Sequence, residues 1–166
     1  HQMDIVEWIM DTRPASIMGT GGIDYWKDGR ETRDNINLLV RYENGVTASY
    51  TCLTTNAHEG FRMTFLGTKG TIVTTLAEAW VSIDGDYEEA PEGVDAVSGA
   101  TMAMGSGSGY PIKPPSFNAT QNALANFRQS ILSNTTPAAS VEYALITART
   151  VQLSLDAMDS GSAVSF

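Results

Sequence analysis

The chain has 166 residues, 42% of them hydrophobic and 17% charged, enough for one domain with a packed core and too poor in charge for a disordered chain. A net charge of −9 argues against a nucleic-acid partner, because neutralising phosphate takes clustered Lys and Arg. The single Cys52 rules out an internal disulfide framework or cysteine zinc site, and no apolar run approaches the roughly 18 residues of a membrane span.

The first ten residues predict a helix. Ile5, Trp8 and Ile9 fall at i, i+3 and i+4 and so share a face, while Asp4 and Glu7 sit toward the positive end of the helix dipole. Asp11-Thr12-Arg13-Pro14 stops it, and Ala15 to Gly19 reads as the next strand. Opening inside a helix without a cap residue, the sequence reads as a piece of something longer. Gly19-Thr20-Gly21-Gly22 reads as a turn or flexible stretch, since it does not link a strand to a helix as a dinucleotide loop must.

Strands follow. Ile36, Leu38, Val40 and Tyr42 alternate with Asn37, Leu39 and Arg41, and Asn44-Gly45 predicts a type I′ hairpin into Val46–Cys52. Phe61, Met63 and Phe65, then residues 71–75 and 79–83, extend an antiparallel meander that turns at Asp84-Gly85. Thr47, Ser49, Thr51, Thr64 and Thr74 are polar yet uncharged, which suits a sheet face packed on a second subunit better than a solvated one.

Residues 84–115 lack periodicity and read as a long loop; its Gly105–Gly109 run leads to Tyr110-Pro111 rather than a helix, so it too fails as a phosphate cradle. Two helices close the chain. Ser116 caps one with an Ala123, Leu124, Phe127, Ile131, Leu132 stripe, broken at Pro137. Ser140 caps the other, which carries Tyr143, Ala144, Ile146, Ala148, Val151, Leu155 and Met158 and ends at Gly161.

The opening H-Q-x-D-I-V-x-W, the proline-marked turn, a strand and G-G-x-D-Y-W-K-D-G-R resemble the C-terminal domain of the Gfo/Idh/MocA oxidoreductases. So do Asp34-Asn35, Tyr42-Glu43-Asn44-Gly45-Val46, Thr54-Thr55-Asn56-Ala57, Gly67-Thr68-Lys69-Gly70-Thr71, Ala125-Asn126-Phe127 and Pro137; only residues 84–115 align with nothing. The resemblance implies that His1 is the catalytic acid/base group. Beside a lysine of a nucleotide-binding domain, it would exchange a proton with a sugar hydroxyl while hydride passes to or from the nicotinamide. The opposing reading of His1 is a tag residue or a helix-start polar group.

Three further residues are candidate substrate contacts. Asp4 suits holding the helix start or orienting a neighbour better than taking part in the chemistry. Trp26 and Lys27, on a loop after Gly21-Gly22, could offer an aromatic face and a cation to a polyol, or simply belong to a surface loop. Arg30 and Asp34 read as a clamp on that loop, and His58 as a loop histidine; two histidines without metal-site spacing give a metal little support.

The expected fold is two-layer α+β, an open, mainly antiparallel sheet with helices on one face. Residues 1–166 would form the C-terminal substrate and oligomerisation domain of an NAD(P)-dependent oxidoreductase whose Rossmann domain lies outside this chain. The substrate would be a sugar or polyol, NAD or NADP would be bound by the other domain, and the isolated chain would be inactive. A homodimer or homotetramer through the sheet face is expected, with no nucleic-acid or membrane partner, in the cytoplasm or alternatively the periplasm. The competing reading is a non-catalytic carbohydrate-binding or assembly module.

Overall fold

Helix α1 (Gln2–Met10) starts at His1, whose carbonyl accepts the Ile5 N–H at 3.0 Å. It ends at Asp11, which turns left-handed with φ 44°, so the stop comes three residues before Pro14. In this computed structural model, which describes residues 1–58, 60–83, 109–113 and 118–166, α1 opens the first of two units. That unit joins His1–Ala57 to Ala123–Phe166; the second is His58–Asn122.

The inward face of α1 is not the expected one. Val6 and Glu7 are buried, while Trp8 and Ile9 are 61% and 55% exposed. The helix is apolar almost all round, so spacing alone could not choose a face.

Strand β1 (Pro14–Gly22) runs through the glycine cluster that sequence reasoning read as a turn. Gly19, Gly21 and Gly22 pair with Leu38, Ile36 and Asn35 of β2 (Asn35–Tyr42). A Cβ on Gly21 would stand 2.6 Å from the Asn35 carbonyl and 3.0 Å from the Met158 sulfur, so glycine is what lets a helix lie close there. Between β2 and β3 (Thr47–Leu53), Gly45 alone has positive φ, and its N–H donates to the Tyr42 carbonyl. A type I′ turn needs positive φ at Asn44 as well, so the hairpin instead has the pattern of a longer loop closed by a glycine bulge.

The second unit holds β4 (Met63–Leu66), β5 (Gly70–Thr74), β6 (Ala79–Ile83) and β7 (Tyr110–Ile112), antiparallel in that order. Strand β7 lies inside the expected loop; Pro111 pairs with Trp80 on this edge strand, where a proline costs no ladder bond. Asp84-Gly85, Gly105–Ser108 and Ser116 lie outside the described residues. Thr64 pairs with Val73 and Thr74 with Met63, so these two threonines take opposite faces of their sheet.

Helix α2 (Ala119–Ser133) is capped by Asn118, whose Oδ1 accepts the Gln121 N–H at 3.0 Å. Its Leu124, Phe127, Ile131 and Leu132 are all exposed. Helix α3 (Val141–Ser160) follows Ser140 and ends at left-handed Gly161, and β8 (Val164–Ser165) pairs with β1. The first unit's sheet therefore runs β3-β2-β1-β8, all antiparallel, with α3 laid on β1 and α1 on α3. The fold is α+β with two open four-stranded antiparallel sheets rather than one continuous meander.

The first unit's core lies between α3 and the sheet. Ile17, Leu38 and Val40 are nearly inaccessible, each worth about 1.5–3 kcal/mol of burial. Facing them, α3 turns inward a small and hydroxyl-bearing stripe of Thr150, Ser154 and Ala157. The larger Val151 and Leu155 of the expected stripe stay exposed. Small residues opposite the glycines of β1 permit a close helix–sheet approach, which decides the face against bulk hydrophobicity.

Candidate functional site

His1 is exposed at the head of α1 and makes no side-chain cap bond. What holds that helix is a carboxylate–threonine cluster against α3. The Thr147 hydroxyl donates to Glu7 Oε2 at 2.6 Å, and the Thr150 hydroxyl to Glu7 Oε1 at 2.6 Å. Thr147 Oγ1 also lies 3.2 Å from Asp4 Oδ1, and Thr150 Oγ1 lies 3.0 Å from the Ile146 carbonyl. At the far end, the Tyr143 hydroxyl reaches Asp11 Oδ1 at 3.4 Å, so α1 and α3 run antiparallel. Glu7 is 2% exposed and Thr150 0%, so both oxygens of a buried carboxylate are occupied.

Asp4 therefore turns toward α3, one turn along from His1, where it can orient a neighbour. Glu7, Thr147 and Thr150 went unrecognised in the sequence. The available signal was Glu7 at i+4 from Met3 and i−3 from Met10, facing threonines spaced i, i+3 on the last helix.

Beneath this cluster the Tyr42 and Tyr50 hydroxyls meet at 2.7 Å. Burial pushes the Tyr42 phenol far above its ordinary pKa, and the bond to Tyr50 and the charge of Glu7 add to the rise. Burial likewise raises Tyr50.

Trp26 and Lys27 stand on the β1–β2 connection, and no hydrogen bond among the described residues joins them to His1 or Asp4. The Lys27 ammonium donates to the Ile23 carbonyl of its own loop. The Arg30 guanidinium lies 4.9 Å from the centre of the Trp26 ring, and Tyr25 meets the same indole edge-on at 5.0 Å. Arg30 in turn grips Asp28 through two bonds, of 2.8 and 2.5 Å. That side-chain bond holds the exposed Asp28 carboxyl down to about 2, against a smaller opposing effect of desolvation.

Asp34 organises this loop. Its carboxylate accepts the backbone N–H groups of Asp24, Tyr25 and Trp26 at 3.2, 2.8 and 3.0 Å, and the Asn35 amide at 2.9 Å. Burial alone would raise its pKa; the three N–H donors and Asn35 outweigh that and hold it well below the usual carboxylate range. Asp34 is thus the loop's clamp, whereas Arg30 closes on Asp28 and Trp26.

A folded-state pKa below the unfolded one stabilises the protein above the unfolded value, near pH 4, and the gain fades as pH falls further. Asp34→Ala is accordingly expected to lower the melting temperature by several degrees at pH 7 and by progressively less below about pH 4. Thermal melts across that range check it; a gap that stays constant with pH would show that the carboxylate charge is not what matters.

An open groove of about 460 Å³, lined by Asp11, Arg13, Glu43, Asn44, Tyr143 and Ile146, lies at the C-terminal end of α1, away from His1. Among the described residues no group of three His, Cys, Asp or Glu could hold a metal ion, and no helix is long and apolar enough to cross a membrane. The backbone of Gly19–Gly22 is committed to pairing with β2, so the glycine cluster offers no cradle for a pyrophosphate.

From His1 to residue 73, which takes in α1, β1–β4 and most of β5, the chain matches the model of the GFO/IDH/MocA C-terminal domain. That match takes in 73 of the chain's 166 residues, so it is a similarity of the N-terminal part of this chain to that domain. Solved structures share the fold of this chain. One is a Thermotoga maritima protein named only provisionally as an oxidoreductase, at TM-score 0.74 and 16% identity, covering 100% of this chain and 45% of that one. Another is an aldose-aldose oxidoreductase from Caulobacter crescentus complexed with glycerol, at TM-score 0.73 and 17% identity, covering 98% of this chain and 44% of that one. A third is an NAD-binding protein from Listeria innocua, at TM-score 0.57 and 19% identity, covering 100% of this chain and 49% of that one. At these identities the likeness is one of fold, and the chain spans about half the length of the proteins it matches. No curated protein matches it.

Proposed function

We propose that this domain is the substrate-binding and oligomerisation half of an NAD(P)-dependent oxidoreductase that works on a hydroxyl or carbonyl of a sugar or polyol. The observation that carries the reading is the family match over α1, with His1 exposed at its head. An imidazole there, on a helix anchored through Glu7, can take the proton of a substrate hydroxyl and return it in the reverse direction. Asp4 orients the head of the helix through Thr147. Trp26, with its indole backed by Arg30, offers an aromatic surface of the kind that sugar C–H groups stack on. On this reading the nicotinamide belongs to another domain, and hydride chemistry with it.

The test is a comparison of two proteins. The full-length oxidoreductase is expected to bind NAD or NADP and to turn over an aldose or polyol. The 166-residue chain by itself is expected to show neither nicotinamide binding by calorimetry nor turnover. Micromolar nicotinamide binding by this chain alone would sink the assignment of the cofactor to another domain.

A further inference from the structure

The carboxylates of α1 and the threonines of α3 are spaced alike. Asp4 and Glu7 stand at i and i+3, as do Thr147 and Thr150, and an interval of three residues rises about 4.5 Å along either helix. Thr147 reaches both carboxylates and Thr150 reaches Glu7 alone. The contact is therefore stepped. Sliding α1 by one residue, about 1.5 Å, would strand the buried Glu7 carboxylate away from at least one of its hydroxyls. Apolar neighbours such as Val6 impose no such registry, since their attraction has no direction.

We infer that Glu7 is a positioning residue for His1, its carboxylate gripped by Thr147 and Thr150 so that α1 keeps one axial register on α3. This rests on the reading of His1 as the proton-exchanging group. A buried polar contact is weak support for stability and better suited to fixing register, which separates two roles that a mutant can tell apart.

Glu7→Leu removes the lock and leaves no orphaned hydroxyl, because Thr147 still has Asp4 and Thr150 still has the Ile146 carbonyl. In the full-length oxidoreductase this variant is expected to melt at the same temperature or higher. Its kcat should nevertheless fall by about ten- to a hundredfold, with the KM for the nicotinamide unchanged. Glu7→Gln keeps an acceptor for one threonine and gives the other a donor, and should restore kcat close to the unsubstituted rate. Unchanged kcat in Glu7→Leu beside a slow His1→Ala variant overturns the positioning role and leaves the reading of His1 standing. Melting temperature and activity falling together in both Glu7 variants marks Glu7 as merely structural and overturns it too. A fully active His1→Ala variant overturns both.

Discussion

If the full-length protein is the proposed oxidoreductase, replacing His1 with Ala is expected to lower kcat by about a hundredfold or more, the usual worth of a positioned acid/base group. The imidazole is exposed at the first position of α1, so its removal leaves no cavity and frees no buried partner. Fold stability should consequently hold, and a melt run beside the kinetics separates lost chemistry from lost structure. Nicotinamide affinity should also hold if, as proposed, another domain binds the dinucleotide. The loss therefore belongs in kcat and kcat/KM for the substrate together, the pattern of an interaction made only in the transition state. An equally active variant would reduce His1 to a helix-start residue or show that a neighbour takes its place.

Much of the fold was legible because strand and helix periods are local. The alternation of Ile36, Leu38, Val40 and Tyr42 gives β2 its buried face, and Gly161 closes α3 as its position implies. Where several local answers were equally good, tertiary contacts decided. Val6 and Ile9 are equally apolar, and only the facing threonines of α3 turn Val6 and Glu7 inward and leave Ile9 out. Gly19–Gly22 has the composition of a turn, yet becomes strand because β2 supplies a full ladder and α3 needs the space. Strand β7 escaped notice because three residues around Pro111 carry no period at all. His1, Asp4, Trp26 and Asp34 could be singled out from the sequence. The carboxylate–threonine cluster could not, since its halves lie about 140 residues apart.

The outer face of the first unit's sheet leads to the second large effect. Register puts Met18, Leu39 and Ser49 in one row across the sheet, with Arg41 and Thr47 in the next and Asn37 and Thr51 beyond. Met18 and Leu39 are 48% and 55% exposed, and Thr51 donates to Asn37 Oδ1 at 3.1 Å within the face itself. Thr64 and Thr74, first grouped with these residues, belong to the second sheet and drop out of the argument. What is left is an apolar row flanked by hydroxyls and amides, with Arg41 the cation among those named. Such a surface lacks the charges that keep exposed sheets apart, and a two-fold axis would let each row meet its own copy. We expect this chain to form a dimer or tetramer through that face, burying more than about 1,000 Å². Thr47→Lys with Thr51→Lys places two ammonium groups on the face, one of them beside Arg41. Both would have to shed water and face their own images, so the double variant is expected to run as a monomer. Light scattering on the two proteins at concentrations on the order of tens of micromolar decides it. A monomeric unsubstituted chain, or a double variant that still assembles, would mean that this face is not where the subunits meet.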